Sequence, residues 1–486
     1  MDADVIIVGS GAAGAAAALG LAEHDPLVVD VGNEPPPDRF AGSLEESRES
    51  SPNLHDGLIG PDLESLHNVF FPYLSPKLKA PLMRFIWAEA ASLTPLESSS
   101  FHAVISLALG GLANAWGAGT FRFISEDLDG FPIGAEELDP HYDLLTREIG
   151  ISGADDDLGP CFGSTRDLLP PLRLPALFSG ILGRYVRRNG TFLRKGLRIG
   201  RPRIAVLSEA RDGRPAYEYD SLDFFQSGNP AIYTPGLTIQ KLVHSGKIRY
   251  RNRILVRSFD EDHEGVTVHG LDLDSTTRVS FRCRKAILAA GALNTARIVL
   301  ESRRDYRTTL PILDNAVSYI PLLDPRRIGV PDATPCYPGA VLNAIYKPAG
   351  APAPLQMSLY AFTGALRSDF LFDFPFASRD VLPASRVLLP ALLVAQLFFP
   401  SLPHPANRLT LDETGRLRVE FPEPQRLPVE RRLLSLYRRL GLFGHPALVR
   451  HLSPGSSFHY AGCLPMTRSP SSPYETGIDG KLAGTR

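Results

Sequence analysis

The residues best suited to chemistry stand at the start of the chain. Gly9-Ser10-Gly11-Ala12-Ala13-Gly14 fits a GxGxxG pattern, and Asp30 follows 21 residues after Gly9. Each position has a physical task. Gly9 permits a tight turn, Gly11 admits a pyrophosphate close to the backbone, and Gly14 allows a helix to pack against a sheet. A helix that begins in this loop turns unpaired N–H groups and its positive dipole end toward phosphates. An acid at position 30 accepts hydrogen bonds from ribose hydroxyls and disfavours a 2′-phosphate.

That chemistry requires a strand before the loop and a helix after it. Val5-Ile6-Ile7-Val8 is a short apolar run of strand character. Ala15 to Glu23 is rich in helix formers, and Leu27-Val28-Val29 is a second strand ending at Asp30. The first thirty residues therefore predict a βαβ dinucleotide-binding unit. The motif alone leaves open which dinucleotide.

At 486 residues the chain predicts two or three lobes. A net charge of -2 gives no reason to expect nucleic acid as a partner. Cys161, Cys283, Cys336 and Cys463 are too far apart for a zinc pattern, so no metal is expected. Met1 stands almost directly before the first strand, which argues against a signal peptide. The longest apolar run, Val387 to Pro400, is interrupted by Pro390 and Gln396 and is too short for a membrane span. A cytoplasmic enzyme is the expectation.

Short helices are expected near Leu78–Leu93 and a longer one over Glu136–Gly150. Ile248–Val256 and Val266–Leu273 read as strands. Arg284 to Gly291 reads as a strand leading into a helix over Ala292–Ser302, a second place where a ligand could meet a helix start. Asn407 to Phe421 reads as a hairpin turning at Asp412–Gly415, and Leu427–Leu440 as a basic amphipathic helix whose arginines form a solvated face. The Phe- and Leu-rich stretch 359–400 suits either a sheet core or an apolar pocket. The expected class is α/β (α+β overall), with a Rossmann-like nucleotide-binding domain and a second, sheet-based substrate domain. Residues 1–150 and 241–310 are its two nucleotide-binding parts, 151–240 a connecting segment, 311–450 the second domain and 451–486 a return to the first.

Four blocks stand in order: GSGAAG near residue 9, GGLANAWG near 110, ILAAGALNTARIVLES near 287 and FHYAGCLPM near 458. Together they resemble the glucose–methanol–choline (GMC) family of FAD oxidoreductases over nearly the whole chain. The resemblance implies FAD, held without a covalent bond because Ala115 precedes Trp116. It implies that Gly9, Ser10, Gly11, Ala12, Ala13, Gly14 and Asp30 hold the ADP half. Gly110 and Gly111 would pass close to the flavin, with Asn114 and Trp116 nearby, Val256 beside the adenine, and Ala290 and Gly291 at the next backbone contact.

His459 begins a His-x-x-Gly-x-x-x-Met pattern with Gly462 and Met466. The resemblance makes it the base that takes a hydroxyl proton while hydride leaves a CH–OH carbon of an alcohol or sugar for flavin N5. The family continues past the equivalent of Arg486 with a strand and a second catalytic residue. The alternative expectation is thus a flavin-binding chain with impaired turnover. A third, another FAD enzyme such as an amine oxidase or hydroxylase, is disfavoured by the second and fourth blocks.

Overall fold

The computed structural model describes residues 1–486 except 38–39, 41–42, 52, 63–64, 66–74, 165, 221, 332–333, 352, 363–377, 423, 425 and 486. Part of the Phe-rich stretch 359–400 and the terminal Arg486 therefore lie outside the described residues.

The architecture is mixed α/β, built on several sheets. The first sheet has six strands in the order Arg249–Arg251, Leu27–Val29, Ala3–Val8, Thr277–Leu288, Gly265–Asp272, Ile254–Asp262. The first four run parallel, and the last two continue from Thr277–Leu288 as an antiparallel meander. Ile6, Ile7 and Val8 are buried, as a parallel strand covered on both faces requires. Helix Ala12–Gly20 follows the first strand and buries Gly14, Ala15 and Ala18.

Sequence periodicity joined Ile248 to Val256 in one strand. The chain instead breaks there into Arg249–Arg251, parallel to Leu27–Val29, and Ile254–Asp262, which begins the meander. Arg253 stands at the break with a φ of 58°, a left-handed conformation that a non-glycine residue rarely adopts and that no continuous strand contains. Helix Ala292–Ser302 then returns from the long strand and buries Leu293, Ala296, Ile298, Val299 and Leu300.

A second six-stranded sheet is antiparallel, in the order Arg450–His451, Val317–Leu323, Leu392–Phe398, Leu355–Ala361, Leu342–Tyr346, Leu197–Gly200. Strand alternation gives it two unlike faces. Leu393, Ala395 and Leu397 pack with Leu355, Met357 and Leu359 beneath helices Ala176–Val186 and Glu430–Arg439. Phe398, one residue on, points the other way and meets the His459 ring, centroid to centroid at 5.4 Å. The hairpin of Arg408–Leu411 and Leu417–Glu420 turns at Gly415, where φ is 78° and Asp412 accepts the Thr414 and Arg416 N–H groups. Among the described residues no helix is long and apolar enough to cross a membrane.

Candidate functional site: a dinucleotide cleft between two helix starts

A cleft of about 320 Å³ opens at the carboxyl ends of the parallel strands, within the size range of small-molecule sites. Four stretches form its wall: Val8–Ala13, Val29–Val31, Val104–Ala113 and Ala289–Ile298, with Ile254–Arg257 at one side.

The helices Ala12–Gly20 and Ala292–Ser302 both begin at this cleft, and no side chain caps either of them. Their first-turn N–H groups lack intrahelical partners, so two positive helix ends face one space. Gly291, with φ of 78°, turns the chain into the second helix.

The glycines of the first motif fall into two kinds. A Cβ on Gly14 would lie 1.9 Å from the Gly9 carbonyl oxygen, and one on Gly9 would lie 2.6 Å from that of Ala289. These two positions are closed by the fold itself. Gly11 differs: a Cβ there meets no protein atom within 4 Å. Opposite it, a Cβ on Gly111 would come 3.3 Å from the Gly11 Cα. Two bare backbone segments thus border the same open space, a cradle for a flat or phosphate-bearing group.

Ser10 ties three segments together. Its hydroxyl donates to the Asp30 carboxylate and accepts the Gly110 N–H at 3.0 Å. Loss of solvent in the cleft wall raises the Asp30 carboxyl from the ordinary 3.8 to about 7, against the opposing pull of the Ser10 hydrogen bond. Ionised Asp30 would be relieved by hydroxyl donors from a ribose.

Of the residues singled out in the sequence, Gly9, Ser10, Gly11, Ala12, Ala13, Asp30, Gly110, Gly111, Val256, Ala290 and Gly291 line this cleft. Gly14 lies behind it, at the helix–strand contact. Asn114 is buried and spends its amide on the Leu109 and Gly111 carbonyls, both at 2.9 Å, so it shapes the loop from beneath. Trp116 points elsewhere, its indole N–H donating to the Tyr233 carbonyl at 2.9 Å.

His459 does not line the cleft, while its chain neighbours Phe458 and Tyr460 do. Phe458 has a φ of 63°, a strained conformation for a bulky residue. The loop around it is fixed by hydrogen bonds. Buried Asp314 accepts the Gly455 N–H at 2.7 Å and the Ser457 hydroxyl. Tyr460 accepts the Val104 N–H at 2.9 Å and donates to the Gly455 carbonyl at 2.7 Å. His459 is exposed to solvent, and the partial loss of hydration around its ring pushes the imidazole below the ordinary histidine value. The ring is therefore neutral at pH 7.

Sequence reading missed Phe458, Tyr460, Asn294 and Arg297 as cleft residues. The last two lie three apart on the second helix, a spacing that puts them on one face. Arg297 is buried and holds the Gly415 and Pro95 carbonyls, which pins the hairpin to the cleft wall. Burial lowers its guanidinium to about 10, with Arg257 pushing the same way.

No family model matches the chain, and no curated protein matches it. Similar solved structures exist. One is the p-nitrophenol 4-monooxygenase PnpA from Pseudomonas putida DLL-E4, 11% identical, with 92% of this chain and 66% of that one covered and a TM-score of 0.26. A second is CabE, an aromatic hydroxylase from angucycline biosynthesis, 11% identical, with 93% and 52% covered and a TM-score of 0.24. A third is the flavin-dependent monooxygenase PieE, solved with FAD and substrate, 12% identical, with 93% and 50% covered and a TM-score of 0.21. The chain spans between half and two thirds of the length of these proteins.

These proteins are hydroxylases and monooxygenases, so the GMC resemblance is overturned. The hydroxylase class that the second and fourth blocks disfavoured is the one represented. The expectations of a missing closing strand and a missing catalytic partner rested only on the GMC pattern and are withdrawn with it. Short glycine-rich blocks recur in unrelated flavoproteins because they solve the same backbone problem, which is why their order misled.

Proposed function

We propose that the chain is an FAD-dependent oxidoreductase that oxidises a hydroxyl-bearing small molecule at a CH–OH carbon. The observation that carries this reading is a histidine with a lowered pKa, His459, whose two chain neighbours Phe458 and Tyr460 line a cleft suited to a dinucleotide.

The residues present fit FAD. Ser10 and Asp30 would hold the ribose, the first turns of both helices the pyrophosphate, and Gly11 and Gly111 would leave its path open. FAD supplies, when bound, a two-electron acceptor that no side chain provides. His459 takes the hydroxyl proton as the substrate carbon loses its hydrogen and two electrons. Its lowered pKa keeps the accepting nitrogen free at neutral pH. The Phe398 ring holds the imidazole from the sheet side, and the Asp314–Ser457 pair holds its backbone.

Anaerobic mixing of the FAD-loaded protein with a panel of alcohols and sugars tests the reading. Bleaching of the flavin absorbance by a panel member is expected, and His459→Gln should slow it by about a hundredfold or more with flavin content unchanged. The reading fails if no panel member bleaches the flavin while a reduced nicotinamide does and a phenol is then oxygenated.

A further inference from the structure

The helix read in the sequence as basic and amphipathic is not absorbed by the cleft. Helix Glu430–Arg439 buries Leu433, Leu434, Leu436 and Tyr437 against the second sheet. Its outer face shows Arg431, Arg432, Ser435, Arg438 and Arg439, all exposed. None of these arginines has an ion-pair partner among the described residues.

The neighbouring elements continue the same character. Arg184, on helix Ala176–Val186, donates to the Leu440 carbonyl at the end of the basic helix and to Asp324. Arg326 reaches both Asp324 and the Gly441 carbonyl. The ends of two helices and the loop 324–330 therefore meet at one place. Arg187 and Arg188 follow directly on the first helix and are exposed. Asp324 is buried and already committed to Arg184 and Arg326, so it does not neutralise the outer arginines.

Apolar side chains stand among these charges. Val186 is 60% exposed, Phe443 49%, Val387 46%, Val330 41% and Ile328 40%. They share the region, since Gly329 donates its N–H to the Val387 carbonyl and Phe443 donates to that of Leu323. A face that is both strongly cationic and apolar, on a chain whose net charge is only -2, has a specific complement. An anionic lipid surface attracts the arginines and takes in the apolar side chains. A soluble acidic partner would match the charges and leave the valines, Ile328 and Phe443 without a reason to project.

We propose that this outer face of the second sheet docks peripherally on anionic lipid membranes. Phe398, next to Leu397 on the same strand, points to the opposite side of the sheet and meets His459. Docking thus leaves the His459 side open.

The FAD-loaded chain, sedimented with vesicles, tests this. Binding to vesicles of phosphatidylcholine with phosphatidylglycerol is expected, with little binding to phosphatidylcholine alone and release by salt over the range where a Debye length shrinks below about 8 Å. The pair Arg431→Glu and Arg438→Glu should weaken binding by at least about tenfold. Phe443→Ser with Val186→Ser should weaken it without changing its salt dependence. Thermal melting and flavin content, unchanged in both variants, separate docking from folding. No binding to the anionic vesicles at low salt overturns the proposal, as does equal binding by the charge-reversed variant. Retention on a soluble polyanion without vesicle binding also overturns it, in favour of an acidic macromolecular partner.

Discussion

The Ser457 hydroxyl accepts the backbone N–H of His459 at 2.9 Å while donating its own proton to Asp314. One small side chain thus links a buried carboxylate to the backbone that carries the imidazole. Ser457→Ala should remove both bonds and leave His459 in place but loosely held. We expect flavin reduction by substrate to slow about ten- to a hundredfold with flavin content unchanged. Stopped-flow reduction beside an absorbance ratio of flavin to protein checks it. A rate equal to wild type would mean the loop is held without Ser457.

Gly11 and Gly14 should separate when each is changed. Gly14→Ala puts a Cβ into the Gly9 carbonyl, and overpacking of this kind costs about 1–3 kcal/mol. The melting temperature should fall even in flavin-free protein. Gly11→Val places its side chain in open space, so the flavin-free protein should melt near the wild-type temperature while FAD uptake is lost. Equal behaviour of the two variants in both measurements contradicts the division between them.

Asp30 gives a pH signature. Its carboxyl sits at about 7 in the folded chain against an ordinary 3.8. Between those values the unfolded chain holds an ionised Asp30 and the folded chain a protonated one, so unfolding releases the proton. Its contribution to stability therefore becomes less favourable as pH rises from about 4 to 7 and is constant above that. Asp30→Asn should raise the melting temperature of flavin-free protein at pH 8 relative to wild type, with the gap closing toward pH 4. The same variant should bind FAD more weakly, because a charged acceptor for the ribose hydroxyls is gone. Parallel melting curves across pH would rule out the buried titration.

His459 titrates in the opposite sense. Partial loss of hydration lowers its pKa below the ordinary 6.5. The proton-accepting form therefore dominates at neutral pH and is lost only as pH falls below that value. Flavin reduction should be flat from pH 7 upward and decline on an acid limb below 6.5. His459→Gln should abolish that limb along with most of the rate. An acid limb above pH 7 would assign the base to another group.

Local pattern made the nucleotide unit legible, because a strand, a glycine turn and a helix are written in adjacent residues. The same holds for helix Ala292–Ser302 and the Asp412–Gly415 turn. The strand break at Arg253 was not legible, since no glycine or proline marks its φ of 58°. Trp116 and Asn114 could be placed near the cleft by sequence, but where their side chains point depends on Tyr233 and Leu109, far off or across a turn. Phe458 and Tyr460 were hidden by His459 between them. Their place in the cleft goes with a φ of 63° at Phe458, which no glycine marks in the sequence.

The central pairing of the first sheet has a consequence for how the chain is made. Ile6 pairs with Ala286, and the Asp2 carboxylate accepts the N–H of Arg282, 280 positions later. At synthesis rates of about 5–20 residues per second, the opening strand waits roughly fifteen seconds to a minute for its central neighbour. During that interval Val5 to Val8 can pair with Leu27–Val29 on one side only, and its other edge is open, a template for wrong partners. The glycine loop lacks the second wall of its cleft for the same time. The two walls of the cleft are thus made 280 positions apart, and cofactor capture belongs to the later part of folding rather than its start.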